Sequence, residues 1–234
     1  MMLPELRAVL AAFPASTCAD EYRAAVVDEN VLAKGTLTTR RATFRQLREL
    51  YALDPSVLVF RALRDLWDSD SSAQPLLAVL CATARDPILR ASASVIIDTP
   101  LGETVTPESL ASAVQEVFPD RYLASVRRVI GRNVLGSWRQ SGHVAPAPGR
   151  QRARAQCRPA AVAYALFLGH LCGVRGEALF ETLWCQLLDT PVHLLHEQAI
   201  VASRQGWLEY RHAGTVTDIT FRHLEREESG AHGR

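Results

Sequence analysis

The chain has 234 residues, of which 48% are apolar, and its formal net charge at pH 7 is +1. This length suits one large domain or two modest ones, and the apolar fraction is sufficient for a packed core in either case. The longest apolar run, at residues 161–174, is too short for a transmembrane helix, and the N-terminal segment mixes Glu5 and Arg7 into its apolar residues, unlike a signal peptide. We therefore expect a soluble, cytoplasmic protein with no membrane partner.

Charge is distributed unevenly along the chain. Between Arg121 and Gly176 there are ten arginines and no acidic residue, which gives this segment a charge of +10. Residues 1–120 sum to −5 (11 basic, 16 acidic) and residues 177–234 to −4 (5 basic, 9 acidic), and the three sums restore +1. Such segregation favours a polyanionic partner. The 25 arginines and single lysine suit bidentate phosphate contacts, although arginine-rich coding in a GC-rich genome would give the same composition.

The first helical elements precede and include a basic stretch. Helical spacing of apolar and small residues predicts a helix over 19–30, followed by a break at Lys34-Gly35. Thr36 or Thr38 can cap the next helix, whose core face carries Phe44, Leu47, Leu50 and Tyr51. Its arginines lie largely off that face: Arg40, Arg41, Arg45 and Arg48. Two helices around a short glycine-containing turn are typical of a helix-turn-helix.

Further helices are predicted up to residue 97. Asp54-Pro55 starts a helix that runs to Trp67, with proline in its first turn, and two more helices follow at 74–84 and 86–97. Turn residues cluster at 99–109, where Thr106-Pro107-Glu108 opens a new helix. We place the domain boundary there, which gives an N-terminal helix-turn-helix domain at 1–100, a winged-helix-like domain at 101–226 and a flexible tail at 227–234.

The second half combines helices with a C-terminal hairpin. A helix ends near Phe118, and another is predicted over 121–143. The predicted core face of that helix carries Val126, Val129, Ile130 and Trp138, and its outer face carries Arg127, Arg128, Arg132, Asn133 and Arg139. The Pro/Gly/Arg stretch at 143–159 is expected to form a basic loop or hairpin. A helix at 190–206 is followed by WLEYR and TVTDITF, which alternate like paired strands. The predicted fold is mostly α, with helix-turn-helix elements and a small C-terminal β-hairpin wing.

No catalytic constellation is present in the sequence. GxGxxG, GxxxxGK[ST] and GxSxG are all missing, and the GVRG at 173–176 lacks the sheet of a KH domain. His193, His196 and Glu197 match the spacing of neither HExxH nor HxxEH, so they are interpreted as part of an ordinary amphipathic helix. The five cysteines are widely scattered and are expected to be reduced and mostly buried. No enzyme activity, cofactor or metal is predicted.

Two basic segments are the candidate DNA-binding residues, because arginine and lysine neutralise phosphates, and threonines at a helix start can contact the backbone. The first set is Lys34, Thr38, Thr39, Arg40, Arg41, Arg45 and Arg48, and the second is Arg127, Arg128, Arg132, Arg150, Arg152 and Arg154. For residues 34–48 alone, a solvated helix face fits as well as a DNA contact. The +10 segment and the wing pattern favour DNA.

Several longer stretches together resemble the BrxA-like family of the bacteriophage exclusion (BREX) defence systems. They are VVDENVLAKGTLTTRRATFRQLRELYALDPSVLVFRALRDLW, LLAVLCATARDPILRAS, NVLGSWRQSGHV and AVAYALFLGHLCGVRGEALFETLWCQLLD. The resemblance spans about residues 5–224 and includes Asp28-Glu29-Asn30 and Leu50-Tyr51. It implies a small helical cytoplasmic protein that binds double-stranded DNA and accompanies a methyltransferase, an ATPase and other defence components. It implies no catalytic residues.

We therefore expect a non-enzymatic double-stranded DNA-binding accessory protein of such a system, with other BREX components as further partners. Two alternatives remain open. In the first, the arginines dock an acidic protein partner and the chain is an interaction scaffold of the defence complex. In the second, the protein is a transcriptional repressor of its own operon.

Overall fold

The computed structural model describes residues 1–214 and 216–226, so the predicted flexible tail at 227–234 lies outside the described residues. The protein is mostly α-helical with a small antiparallel hairpin near the C-terminus, which confirms the predicted fold class. The elements, in chain order, are α1 (Leu3–Ala12), α2 (Ala19–Val27), α3 (Leu37–Tyr51), α4 (Leu58–Trp67), α5 (Gln74–Arg85), α6 (Pro87–Ala91), α7 (Ala93–Asp98), α8 (Pro107–Val117), α9 (Ala124–Gln140), α10 (Pro159–Leu171), a 3₁₀ helix (Gly176–Glu181), α11 (Leu183–Gln186), α12 (Val192–Arg204), β1 (Glu209–Ala213), β2 (Val216–Thr220) and α13 (Arg222–Glu225).

The start and the core face of α3 agree with the sequence prediction. The Thr36 hydroxyl accepts a hydrogen bond from the backbone N–H of Thr39 at 3.1 Å, so Thr36 is the N-cap. Leu47 and Tyr51 are fully buried. Helix α3 packs against α2, and residues 28–36 connect the two. This connection is longer than the three- or four-residue turn of a tight helix-turn-helix.

Two predicted helix boundaries were wrong. Helix α4 begins at Leu58, because the Asp54 carboxylate accepts hydrogen bonds from the Ser56 N–H and hydroxyl, at 2.9 and 2.8 Å, and holds a turn before the helix. The predicted helix at 86–97 is divided into α6 and α7 at Ser92. Its buried hydroxyl donates to the Leu89 carbonyl at 2.7 Å and accepts from the Trp138 indole at 3.0 Å.

Helix α10 lies at the centre of the molecule. Every residue from Ala160 to Gly169 is buried, and the helix packs against α4, α5 and α12. A helix that is enclosed on all sides needs apolar residues around its whole circumference, as α10 has. Buried side chains from both sides of residue 100 belong to one continuous hydrophobic cluster. The division into two domains at residue 100 stays a prediction.

The outer half of α9 differs from the prediction. Val126 and Val129, expected in the core, are 42% and 44% exposed. The buried stripe of the helix lies elsewhere, at Gly131, Val134, Leu135 and Trp138. Because those residues follow the i, i+3, i+4, i+7 spacing of one helix face, the two valines fall on its opposite side.

The C-terminal helix and hairpin were predicted correctly. Helix α12 ends in a Schellman cap, in which the N–H of Gly206 donates to the Ser203 carbonyl and that of Trp207 to the Ala202 carbonyl. Gly206 has a φ of +78°, a conformation that favours glycine. Strands β1 and β2 pair from Glu209↔Thr220 to Ala213↔Val216. Over residues 1–214 and 216–226, no helix combines the length and the apolar character needed to cross a membrane.

Candidate nucleic-acid interface

The solvent-facing side of α3 carries a stripe of arginines. Thr38, Arg41, Arg45 and Arg48 follow one another at intervals of three, four and three residues, so they share one helix face, and all four are exposed. Within the described part of the chain, the side chains of these three arginines have no hydrogen-bond or ion-pair partner. The α3 arginine stripe therefore presents three positive charges that no residue in the described part of the chain neutralises.

The start of α3 adds to this positive character. The Thr39 hydroxyl lies 2.9 Å from that of Thr36, and the first turn has no acidic residue. Free backbone N–H groups and the helix dipole make the N-terminus of a helix of this length favourable for an anion.

Two candidate residues near this helix have structural partners instead. The Lys34 ammonium lies 3.0 Å from the Glu5 carboxylate. The half-buried Arg40 guanidinium donates to the Lys34 and Val27 carbonyls, both at 3.4 Å. These contacts hold the loop at 28–36 against α1 and α2. We therefore remove Lys34 and Arg40 from the candidate interface.

A second group of arginines converges on a groove beside α9. Arg128, Arg132 and Arg139 recur at intervals of four and seven residues and face the same side of the helix. Together with Arg150, they line a groove with a volume of about 610 Å³, which we call the arginine groove. Pro107, Glu108 and Ala111 of α8 and Leu135 of α9 complete its walls.

The arginine groove carries an excess of positive charge. Among its lining residues, Glu108 is the single acid against four arginines. Arg139 donates to the Gly149 carbonyl at 2.8 Å and so links α9 to the loop that carries Arg150. In the described residues, Arg128, Arg132 and Arg150 have no ion-pair partner. A phosphate in this groove would meet several free guanidinium groups at once.

Arg139 was not among the predicted binding residues. The sequence places it on the outer face of its helix, but its contribution to the groove depends on the 143–159 loop folding back beside α9. The seven-residue interval from Arg132 is the signal that could have grouped it with Arg128 and Arg132.

The structure places Arg152 inside the protein, which corrects its assignment as a DNA-binding residue. Its side chain is only 4% exposed. Its Nε donates to the Ile96 carbonyl at 2.7 Å, and a terminal nitrogen lies 3.0 Å from the Asp189 carboxylate and also contacts the Ala153 carbonyl. The guanidinium is held inside because it satisfies carbonyl and carboxylate oxygens that would otherwise lack a donor.

The remaining two candidates lie apart from the groove. Arg127 is half-buried and donates to the Gln115 side chain and the Tyr122 carbonyl, both at 3.0 Å, which ties α9 to α8. Arg154 is exposed and lies at a smaller groove with Asp189 and Gln198. Neither residue lines the arginine groove.

A third depression lies between α3 and α9, and its lining carries two acids, Glu49 and Asp86, beside Arg85 and Arg132. It has a volume of about 910 Å³, and it is bordered by Gln46 and Glu49 of α3 and by Arg132 and Asn133 of α9. Arg132 lines both this interhelical groove and the arginine groove. The two grooves are therefore neighbours that meet at Arg132.

No model of a known protein family, no curated protein and no solved structure matches this chain.

Proposed function

We propose that this protein binds double-stranded DNA without catalysing a reaction on it. The observation that carries the proposal is the convergence of Arg128, Arg132, Arg139 and Arg150 on one groove. That groove shares Arg132 with the depression that reaches α3. A duplex would lie along this surface, with the α3 arginine stripe as a second set of phosphate contacts.

The arginines of the α3 stripe have no hydrogen-bond or ion-pair partner within the described residues, which favours phosphate binding. Arg41, Arg45 and Arg48 would exchange solvent and counterions for phosphate oxygens without breaking an ion pair within the described residues. Release of those counterions is the main source of free energy in non-specific DNA binding. We therefore expect affinity that falls steeply with salt concentration and depends weakly on base sequence.

The resemblance to the BrxA-like family extends the proposal to a biological setting. It rests on the stretches of sequence quoted above, which include the whole of α3. On this basis we infer an accessory protein of a BREX-type anti-phage system, acting in the cytoplasm beside other components of that system.

The test is a fluorescence-anisotropy titration of a short mixed-sequence duplex at low salt. The substitutions Arg41→Ala, Arg45→Ala and Arg48→Ala are combined in one variant, and the matched control changes the same three residues to lysine. We expect the alanine variant to bind about 10- to 100-fold more weakly and the lysine variant to stay within a few-fold of the wild type, because phosphate contact requires charge more than shape. An alanine variant with wild-type affinity would remove α3 from the interface.

The same titration separates the alternatives. Absence of duplex binding at low salt, together with co-purification of another defence component, would favour a protein-interaction scaffold. Protection of one promoter site, with much weaker binding to other duplexes, would favour a transcriptional repressor.

A further inference from the structure

Glu177, His196 and His212 come together near the turn end of the hairpin, where His212 pairs with Thr217. They belong to three different elements: the 3₁₀ helix, α12 and β1. One ligand atom from each lies within 4.8 Å of the others. We propose that these three side chains bind a divalent transition metal ion, with Zn²⁺ the best match. This proposal is independent of DNA binding.

Both imidazole rings are already oriented for such a role. His196 places its Nδ1 2.7 Å from the Tyr210 hydroxyl, and His212 places its Nδ1 2.8 Å from the Thr217 hydroxyl. Without a metal, the Nε2 of His196 donates to the Glu177 carboxylate, which can only accept. If the hydrogen moves to Nδ1, which can donate to Tyr210, the Nε2 lone pair becomes free for a metal. Metal-binding histidines usually donate the other ring N–H to a partner in this way, which fixes the tautomer and the ring orientation.

The carboxylate is part of the same network. Thr217 donates its hydroxyl hydrogen to one oxygen of Glu177, and the other oxygen lies 3.0 Å from the Nε2 of His196. The hydrogen bond from Thr217 is the main reason that the pKa of Glu177 lies below its usual value. The carboxylate is therefore ionised near neutral pH, the form in which it binds a cation.

Two imidazoles and one carboxylate are a common zinc ligand set, and they leave a fourth tetrahedral position for water. Zinc–ligand bonds of about 2.0–2.2 Å place tetrahedral ligand atoms about 3.3 Å apart. The Nε2 of His196 and the oxygen of Glu177 are already near this separation, at 3.0 Å. His212 is exposed on β1, so its side chain has room to move towards Glu177 and His196 and complete the ligand set.

The site could not be recognised from spacing in the sequence. His193 and Glu197 surround His196 in the chain, yet neither is a member of the cluster. The metal would connect α12, the hairpin and the 3₁₀ helix, and so fasten the hairpin to the body of the protein. The backbones are already close there: a Cβ at Gly176 would lie 3.1 Å from the Thr217 carbonyl oxygen.

The first experiment measures Zn²⁺ binding to the full, untagged chain by competition with a chromogenic chelator near pH 7.5. His212→Ala is the test variant, because that side chain is exposed, whereas the ring of His196 packs on Phe180 at 4.0 Å. His193→Ala, on the exposed side of the same helix, is the matched control. We expect one tight site in the wild type and in the control, and at least about 10-fold weaker binding in His212→Ala.

Thermal unfolding with and without one equivalent of Zn²⁺ gives a second readout. Because a ligand that binds the folded state raises its melting temperature, the ion should stabilise the wild type and His193→Ala but not His212→Ala. The proposal is overturned if the wild type binds Zn²⁺ no more tightly than His212→Ala does, or if both show the same melting shift.

Discussion

Gly131 in α9 lies directly against the backbone carbonyl of Pro107 at the start of α8. A Cβ atom at this position would be 2.1 Å from that carbonyl oxygen and 3.2 Å from the Cβ of Ala111. The two helices can approach this closely only because residue 131 has no side chain. Pro107 and Ala111 also line the arginine groove, so this contact sets the distance between its walls.

Gly131→Ala is therefore expected to destabilise the protein by about 1–3 kcal/mol, since a backbone carbonyl must move to admit the methyl group. Gly136→Ala in the same helix is the matched control, because nothing lies within 4 Å of a Cβ there. Alanine at that position should leave stability unchanged or raise it by up to about 1 kcal/mol. Urea unfolding followed by circular dichroism measures both, and equal stability of the two variants would refute the close contact.

The buried His143 should make stability depend on pH. Its Nε2 donates to the Leu187 carbonyl at 2.8 Å, since a carbonyl can only accept, and its Nδ1 lies 2.8 Å from the Ser141 hydroxyl. Burial, reinforced by the nearby Arg152 and opposed by Asp189 and the bond to Leu187, lowers the pKa of His143 from 6.5 to about 4. The folded protein therefore holds this imidazole neutral.

Because the folded-state pKa lies below the unfolded one, the contribution of His143 is present above about pH 6.5 and is lost as the pH falls towards 4. Between about pH 7 and pH 5 this loss should amount to about 2 kcal/mol of unfolding free energy. Urea unfolding at the two pH values checks it. His143→Gln should be less stable at neutral pH and lose less on acidification; an equally steep loss in this variant would contradict the assignment.

The three arginines at 150, 152 and 154 should behave differently when each is replaced by alanine. Arg152→Ala leaves the Asp189 carboxylate and the Ile96 carbonyl without their buried partner, so we expect a loss of about 3 kcal/mol or more. Arg150→Ala and Arg154→Ala remove exposed side chains and should change stability by less than about 0.5 kcal/mol. The melting temperatures of the three variants test this, and three similar values would mean that Arg152 is not a structural residue.

Local patterns in the sequence correctly predicted those structural features that depend on a single helix. The cap at Thr36, the buried Leu47 and Tyr51, and the glycine that ends α12 follow from spacing and side-chain chemistry within a single helix. Val126 and Val129 were misplaced because two helix faces of α9 carry apolar residues, and only packing against α8 decides which face is buried.

The surfaces formed between distant elements could not be predicted. Arg150 joins Arg132 only because a loop returns beside α9, and His196 meets His212 only because the hairpin folds back onto α12. Charge counting also treats every arginine as a surface residue. It therefore could not separate the buried Arg152 from the exposed Arg150 and Arg154, which flank it at the two-residue intervals of an extended segment.

The salt dependence of duplex affinity in Arg132→Ala tests the central claim most directly, because this side chain borders both grooves. The matched control is Arg204→Ala, which removes one exposed arginine from α12. In a plot of the logarithm of the binding constant against that of the salt concentration, each lost phosphate contact reduces the slope by about 0.9. We predict such a reduction, with weaker binding, for Arg132→Ala and none for Arg204→Ala. A slope and affinity equal to those of the wild type in Arg132→Ala would contradict a DNA-binding surface centred on α9.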